Sequence, residues 1–175
     1  MESESDDEND FDSVMAAAEN FRNEGSHTAE GELYTRLIGL FPDRFEPYFK
    51  RALVRRTMGQ RADALEDASK AISLNQNESA CHFFRGLWRL EAGLFQESLD
   101  DLEKAAALDT AAGSSYYEVS ARFLRVLALT ALAKFDDANR EIQPLAAKAA
   151  FAVNGRRWTI QQLQECILKR SRPQL

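Results

Sequence analysis

The residue types that most often catalyse reactions or bind metals are few and scattered in this 175-residue chain. Its two histidines are His27 and His82, and its two cysteines are Cys81 and Cys166. His82 follows Cys81 directly, but no other ligands stand at the spacings that zinc sites use. The cysteines form no CxxC pair and are expected to be free thiols. The glycines recur at one spacing and form no phosphate-binding loop. The sequence therefore predicts a protein that is not an enzyme and that needs no metal or cofactor.

Charge is the second chemical feature, and it is concentrated at the two ends. Residues 1–12 carry seven acids and no base, and removing these seven charges from the net charge of −6 leaves +1. Residues 155–175 carry five bases and one acid. The acidic, apolar-poor stretch 1–10 is expected to be a disordered acidic tail. Ser3 and Ser5 precede acids, as sites of acidophilic kinases do, although serines in any acidic tail would look the same.

A basic cluster near the middle of the chain could contact an acidic partner, RNA or the acidic tail. It consists of Arg51, Arg55, Arg56 and Arg61. Beyond the acidic tail the chain is nearly neutral, and it lacks the basic stripe typical of nucleic-acid-binding proteins. Solvated helix faces are the simpler interpretation, and we do not expect a nucleic-acid partner.

Hydropathy gives no indication of a membrane protein. The longest apolar stretch, 126–133, is far shorter than the roughly 20 residues that span a bilayer. The acidic start does not resemble a secretory signal. We therefore expect no membrane contact and a cytoplasmic, or alternatively nuclear, location.

All of these residues lie in a chain with an internal repeat. Residues 45–78 and 79–112 align without a gap at an offset of 34. The identical pairs are Gly59 and Gly93, Leu65 and Leu99, Asp67 and Asp101, Lys70 and Lys104, Ala71 and Ala105, and Leu74 and Leu108. A fixed period of this length predicts one supersecondary unit per repeat. Residues 11–44 fit the same frame, and 119–152 fit it after an insert, 113–118, that either lengthens a helix or forms a loop.

Each unit is predicted to contain two helices. The predicted helices cover residues 12–23, 28–40, 47–58, 62–74, 79–92 and 96–108. Pro144 falls inside the last unit's second helix and predicts a kink or a restart there. After a break at 154–155, residues 156–170 predict an amphipathic capping helix with Trp158, Leu163 and Ile167 toward the repeats. The repeat array thus covers 11–152, and 153–175 forms the capping helix and a basic tail.

A 34-residue helix–turn–helix unit with small residues at fixed positions resembles the tetratricopeptide repeat (TPR) family. The family's three inter-helix contact points hold Ala52, Ala64 and Ala71 in the second unit, and Gly86, Ser98 and Ala105 in the third. The turn glycines are Gly59 and Gly93. The resemblance implies an all-α fold, an α-solenoid of three to four TPR units with a C-terminal capping helix.

The outer units depart from this pattern. The first has Glu30 and Leu37 where small residues belong, and the fourth has Val126 and Leu145. The resemblance is therefore closest in the two middle units.

The resemblance also implies a concave groove, lined by the first helix of each unit, that holds a peptide or helix of a protein partner. The positions of this chain that would line it are Met15, Phe49, Leu53, Arg56, Phe83, Phe84, Leu87, Phe123, Leu124 and Leu127. Such an apolar, Phe-rich groove suits an amphipathic helix or an extended apolar segment. Two alternatives remain: these side chains pack internally, or the C-terminal helix or the insert fills the groove.

One TPR subclass holds the C-terminal carboxylate of heat-shock chaperones with a clamp of Lys, Asn and Arg. In this chain the clamp positions would be Met15, Glu19, Lys50, Ala80 and Phe84. A clamp that begins one unit later would start with Phe49, Leu53 and Phe84. Neither set brings cationic donors together on a carboxylate, so we expect no such clamp.

These inferences predict a protein-binding adaptor or assembly chaperone. The alternative is a structural subunit that docks on a larger complex through its convex face or its C-terminal helix.

Overall fold

The computed structural model describes residues 3–145, 150–153 and 155–171. Its elements, in chain order, are α1 (Ser3–Asn23), α2 (His27–Leu40), α3 (Phe45–Thr57), α4 (Arg61–Leu74), α5 (Ser79–Glu91), α6 (Phe95–Ala111), α7 (Glu118–Ala131), α8 (Phe135–Ile142), β1 (Ala150–Val153), β2 (Arg156–Thr159) and α9 (Ile160–Ser171). The prediction of an all-α protein made of helix pairs is confirmed, with one short hairpin added. The helices form two compact units, each larger than one repeat. From here on, unit 1 means Met1–Gln76 and unit 2 means Asn77–Leu175.

The 34-residue period sets the helix pairs. The helices α3 and α5 begin 34 residues apart, and so do α4 and α6. Gly59 and Gly93 end the first helix of each pair with φ of +80° and +81°, a left-handed conformation that glycine adopts without steric cost. In the last pair this turn position is Ala133, which has the same handedness with φ of +58°.

Small residues let the paired helices approach closely, as predicted. At Gly86 an added Cβ would lie 2.9 Å from Leu102 Cγ and 3.1 Å from Asp101 Cβ. The buried Ser98 hydroxyl donates a hydrogen bond to the Gly86 carbonyl across 2.7 Å. The helices α5 and α6 are therefore joined by a hydrogen bond to the α5 backbone as well as by close packing.

Unit 1 has a core between α1, α2 and α3. Its buried members are Phe11, Ala18, Tyr34, Leu37 and Val54. The structure begins α1 at Ser3, within the stretch for which composition predicted a disordered tail.

Unit 2 contains the insert, whose residues form the loop between α6 and α7 and the first residue of α7. The helix α6 runs to Ala111, three residues beyond its predicted end, and a loop with a left-handed Gly113 follows. The buried carboxylate of Asp109 accepts a hydrogen bond from the Tyr117 backbone N–H at 2.8 Å. This bond satisfies a backbone donor where α7 begins.

The C-terminal part differs from the prediction. The helix α8 ends at Ile142, just before Pro144, because proline cannot continue its hydrogen-bond ladder. Residues 150–153 then pair antiparallel with 156–159. The capping helix consequently begins at Ile160 and not at residue 156.

The capping helix is nevertheless anchored as expected. Leu163 and Ile167 of α9 are fully buried in the core that α7 and α8 also build. Trp158 lies on β2 and is half-buried. Residue 154 of the predicted break lies outside the described residues. Across the described ranges, no helix combines the length and the apolar character that crossing a bilayer requires.

Candidate functional site

In unit 1 the predicted groove residues keep part of their surface. Met15 on α1 and Phe49, Leu53 and Arg56 on α3 are all half-buried. Lys50, the one cation at a predicted clamp position, forms a 3.2 Å salt bridge with Glu19. The first helices of this unit thus present apolar side chains with a locally neutralised lysine.

In unit 2 the predicted groove residues divide into two groups. Phe123 has no exposed surface, Leu124 is 4% exposed and Phe83 is 9% exposed, so these three are core residues. The Phe83 ring packs on Tyr117 with 4.6 Å between ring centroids. The internal-packing alternative therefore describes these positions.

Phe84, Leu87 and Leu127 form the second group, which is half-buried. They pack against the edge of the unit 2 core. Part of each side chain remains accessible, as a binding surface requires.

The basic cluster at the middle of the chain is largely engaged inside unit 1. Arg51 makes a two-pronged contact with the buried Asp67 carboxylate, with both N–O distances at 2.8 Å. Arg55 Nη1 donates to the same carboxylate at 2.7 Å. The favoured interpretation of solvated helix faces is therefore corrected for these two arginines, because both tie α3 to α4 through Asp67. Arg61 is exposed.

The same cluster recurs 34 residues later in unit 2. Arg85 contacts both oxygens of Asp101 at 2.9 and 2.7 Å, and Arg89 Nη1 donates at 2.7 Å. Nδ1 of the buried His82 lies 3.5 Å from Asp101 Oδ1. His82 thus belongs to a structural ion cluster between α5 and α6.

The electrostatics of Asp101 reflect this arrangement. Burial, the largest influence, raises the pKa of the carboxyl. The adjacent His82 ring, the hydrogen bonds from Arg85 and the charges of Arg85 and Arg89 outweigh it, so the pKa of Asp101 lies below its ordinary value.

A cleft that the sequence did not indicate lies between α7, the hairpin and α9. Its volume is about 370 Å³. Its lining residues are Leu90, Phe95, Leu127, Thr130, Ala131, Val153, Arg156, Trp158, Leu163, Cys166 and Arg170. The structure thus places Leu127 of the predicted groove in this cleft, together with the first-helix residue Leu90. We refer to it as the C-terminal cleft.

The walls of the C-terminal cleft are apolar and its rim is basic. The Arg156 guanidinium lies over the Trp158 ring, 4.0 Å from the ring centroid. Arg156 and Arg170 are both exposed. The Thr130 hydroxyl donates to the Val126 carbonyl at 2.7 Å, so this buried polar group is already satisfied. The sequence could not indicate the cleft, because the cleft depends on a hairpin in a part of the chain where the sequence predicts helix.

Comparisons with known sequences give partial matches. No protein-family model matches the chain. Tetratricopeptide repeat protein 36 of Mus musculus is 38% identical over 96 residues, which make up 49% of this chain and 52% of that protein. The Danio rerio protein of the same name is 37% identical over 79 residues, 43% of this chain and 42% of that protein. The chain therefore spans about half the length of these curated relatives.

Solved structures match a larger share of the chain. MamA from Desulfovibrio magneticus RS-1 has a TM-score of 0.68 at 16% identity and covers 76% of this chain and 72% of its own. The TPR2B domain of yeast Sti1, in complex with pHsp70, has a TM-score of 0.63 at 16% identity, with 67% and 94% covered. The first TPR of Spaghetti (RPAP3), bound to the HSP90 peptide SRMEEVD, has a TM-score of 0.63 at 19% identity, with 70% and 93% covered. At these identities the likeness establishes the fold alone.

Proposed function

We propose that this chain, which has the helical-repeat fold of tetratricopeptide repeat proteins and partly matches curated ones, is a non-catalytic module that binds a segment of one partner protein. The segment is a peptide or an amphipathic helix, and the first helices of the repeats contact it. The role is that of an adaptor or an assembly chaperone.

The observation that carries this proposal is the apolar surface left on the first helices of both units. Phe49 and Leu53 on α3 are half-buried, and so are Phe84 and Leu87 on α5. Leu53 and Leu87 occupy the same position of the repeat. A half-buried apolar stripe on a helix can bury further area against a partner, and aromatic anchors are the usual sources of binding energy.

The chemistry of this surface favours an apolar segment over a free carboxylate. The first TPR of RPAP3 binds an HSP90 peptide, and this supports peptide binding by related folds. In this chain, however, the clamp positions hold the half-buried Met15 and the paired Lys50 and Glu19. A carboxylate needs convergent cationic donors that are not already paired. We therefore do not propose a carboxylate clamp.

Site-specific photo-crosslinking tests the proposal. A benzophenone amino acid is placed at Leu53 or Leu87, and the purified variants are irradiated in a lysate of the source cells. The matched control positions are Lys70 and Lys104, which are exposed and occupy equivalent positions on the second helices. The expected result is one common crosslinked protein from Leu53 and Leu87, and none from the lysines.

Other outcomes decide against the proposal. Crosslinks from Lys70 and Lys104 alone would place the partner on the second helices. A fifth variant carries the crosslinker at Leu168, which is 57% exposed on α9. A crosslink from this position alone would favour a structural subunit that docks through its C-terminal helix. Circular dichroism melting of every variant separates lost binding from lost folding.

A further inference from the structure

We propose that the C-terminal cleft is a second binding site, which takes an acidic peptide segment carrying one large apolar side chain. This site lies in unit 2 and does not depend on the function proposed for the first helices. Three features carry the inference: the cavity, its basic rim and the polar depression beside it.

The cavity suits an apolar anchor. Leu90, Phe95 and Leu127 line one part of it, and Val153 and Leu163 line another. Its volume of about 370 Å³ lies within the usual size range of ligand pockets, which are mostly apolar with a few placed polar groups. One large side chain, such as phenylalanine, would remove these walls from water.

The rim selects an acidic ligand. Among the described residues that line the cleft, the charged ones are Arg156 and Arg170, and none is acidic. The stack of Arg156 on Trp158 holds one guanidinium at the mouth, so less side-chain freedom is lost when it meets a carboxylate. An apolar anchor flanked by carboxylates satisfies the cavity and the rim together.

The neighbouring surface favours a peptide over a small amphiphilic acid. A second depression of about 460 Å³ shares Arg156, Trp158, Cys166 and Arg170 with the cleft and adds Gln162, Glu165 and Lys169. It continues the basic rim and offers amide and carboxylate groups that suit a peptide backbone and further side chains. A single head group would leave this surface unused.

Fluorescence anisotropy with short labelled peptides tests the site. The probe is Glu-Asp-Phe-Asp-Glu, and the matched peptides replace either its phenylalanine with alanine or its acids with glutamine and asparagine. We expect saturable binding of the probe at low salt, about tenfold weaker binding of each matched peptide, and weakening as salt is added.

Protein variants then locate the site. Arg156→Gln with Arg170→Gln removes the rim charges, and Ala131→Phe fills the cavity from an exposed lip position. Each is expected to weaken binding about tenfold. The control, Arg61→Gln with Lys104→Gln, removes two charges from exposed positions elsewhere and should leave the affinity unchanged.

Several results would overturn the inference. They are no saturable binding by the full-length protein, equal binding of all three peptides, and equal loss of affinity in the control variant. Displacement of the probe by decanoate at a lower concentration than by unlabelled peptide would assign the cleft to a small amphiphile instead. If Ala131→Phe does not fold, the exposed arginine pair still decides, because its removal opens no core cavity.

Discussion

Replacing Asp101 with alanine would break the ion cluster of unit 2 while leaving its apolar core complete. The Asp101 carboxylate accepts three hydrogen bonds of 2.7 to 2.9 Å from Arg85 and Arg89. The carboxylate itself is buried, whereas the two arginine side chains are 15% and 23% exposed. The variant therefore removes the buried carboxylate to which both poorly hydrated cations donate.

The expected cost follows from these exposures. Removing one partner of a fully buried ion pair costs about 3–5 kcal/mol. Arg85 and Arg89 can regain some water after the change, so we expect the lower end, about 3 kcal/mol of unfolding free energy. The exposed neighbour provides the control, because Asp100→Ala should change the unfolding free energy by no more than about 0.5 kcal/mol.

Urea unfolding followed by tryptophan fluorescence measures this effect. Both tryptophans of the chain, Trp88 and Trp158, lie in unit 2, so the signal reports the unit that contains Asp101. A double-mutant cycle with Arg85→Ala should show a coupling well above the 1 kcal/mol typical of exposed pairs. If Asp101→Ala costs no more than Asp100→Ala, the cluster does not stabilise the helix pair and our reasoning is wrong.

Three further predictions follow from the described geometry. The pKa of Asp101 is lower in the folded than in the unfolded protein. Its carboxylate therefore contributes its full stabilisation above the unfolded aspartate pKa of about 3.9, and this stabilisation is lost as the pH falls through the folded-state pKa. In an acid titration, Asp101→Asn should lose less unfolding free energy below about pH 4 than the parent protein does. Ala133→Gly should raise the unfolding free energy by about 0.5–1 kcal/mol, because glycine adopts this left-handed backbone conformation without steric cost. Gly93→Ala should lower the unfolding free energy by a similar amount. Effects of the same sign in both variants would contradict a left-handed conformation at both turns. Leu163→Ala should lower the unfolding free energy by about 2–5 kcal/mol and so lower the melting temperature, while the exposed Leu168→Ala should have little effect. Equal effects of the two substitutions would mean that α9 is not anchored in the core.

The 34-residue period predicted the helix pairs well, because the features that define a pair are local in sequence. Gly59 and Gly93 provide the left-handed turn, and residues such as Ala71 and Ala105 allow close packing between helices. The Arg–Asp clusters carried the same kind of signal. Arg51 and Arg55 stand 16 and 12 residues before Asp67, and this spacing recurs in the next repeat. Aligning the charged residues of the two repeats, as well as the apolar ones, would therefore have predicted these ion pairs.

The groove and the C-terminal part were harder to predict for a physical reason. Phe123 and Leu124 occupy first-helix positions, but α7 packs against α6, α8 and α9 and so buries more than one face. Single-helix periodicity does not show how many neighbours a helix has. The hairpin strand 156–159 is only four residues long, and its Trp158 also fits the apolar face of a helix, so periodicity could not separate the two.

The repeated ion cluster also bears on how such a chain can lengthen. Arg51, Arg55 and Asp67 meet within one helix pair, and their counterparts in the next repeat do the same. Each of these two Arg–Asp clusters is therefore closed within its own helix pair, and an added or deleted pair would leave the cluster of its neighbour intact. A 34-residue segment of this kind can be duplicated in the gene as one unit that brings its own buried ion cluster with it.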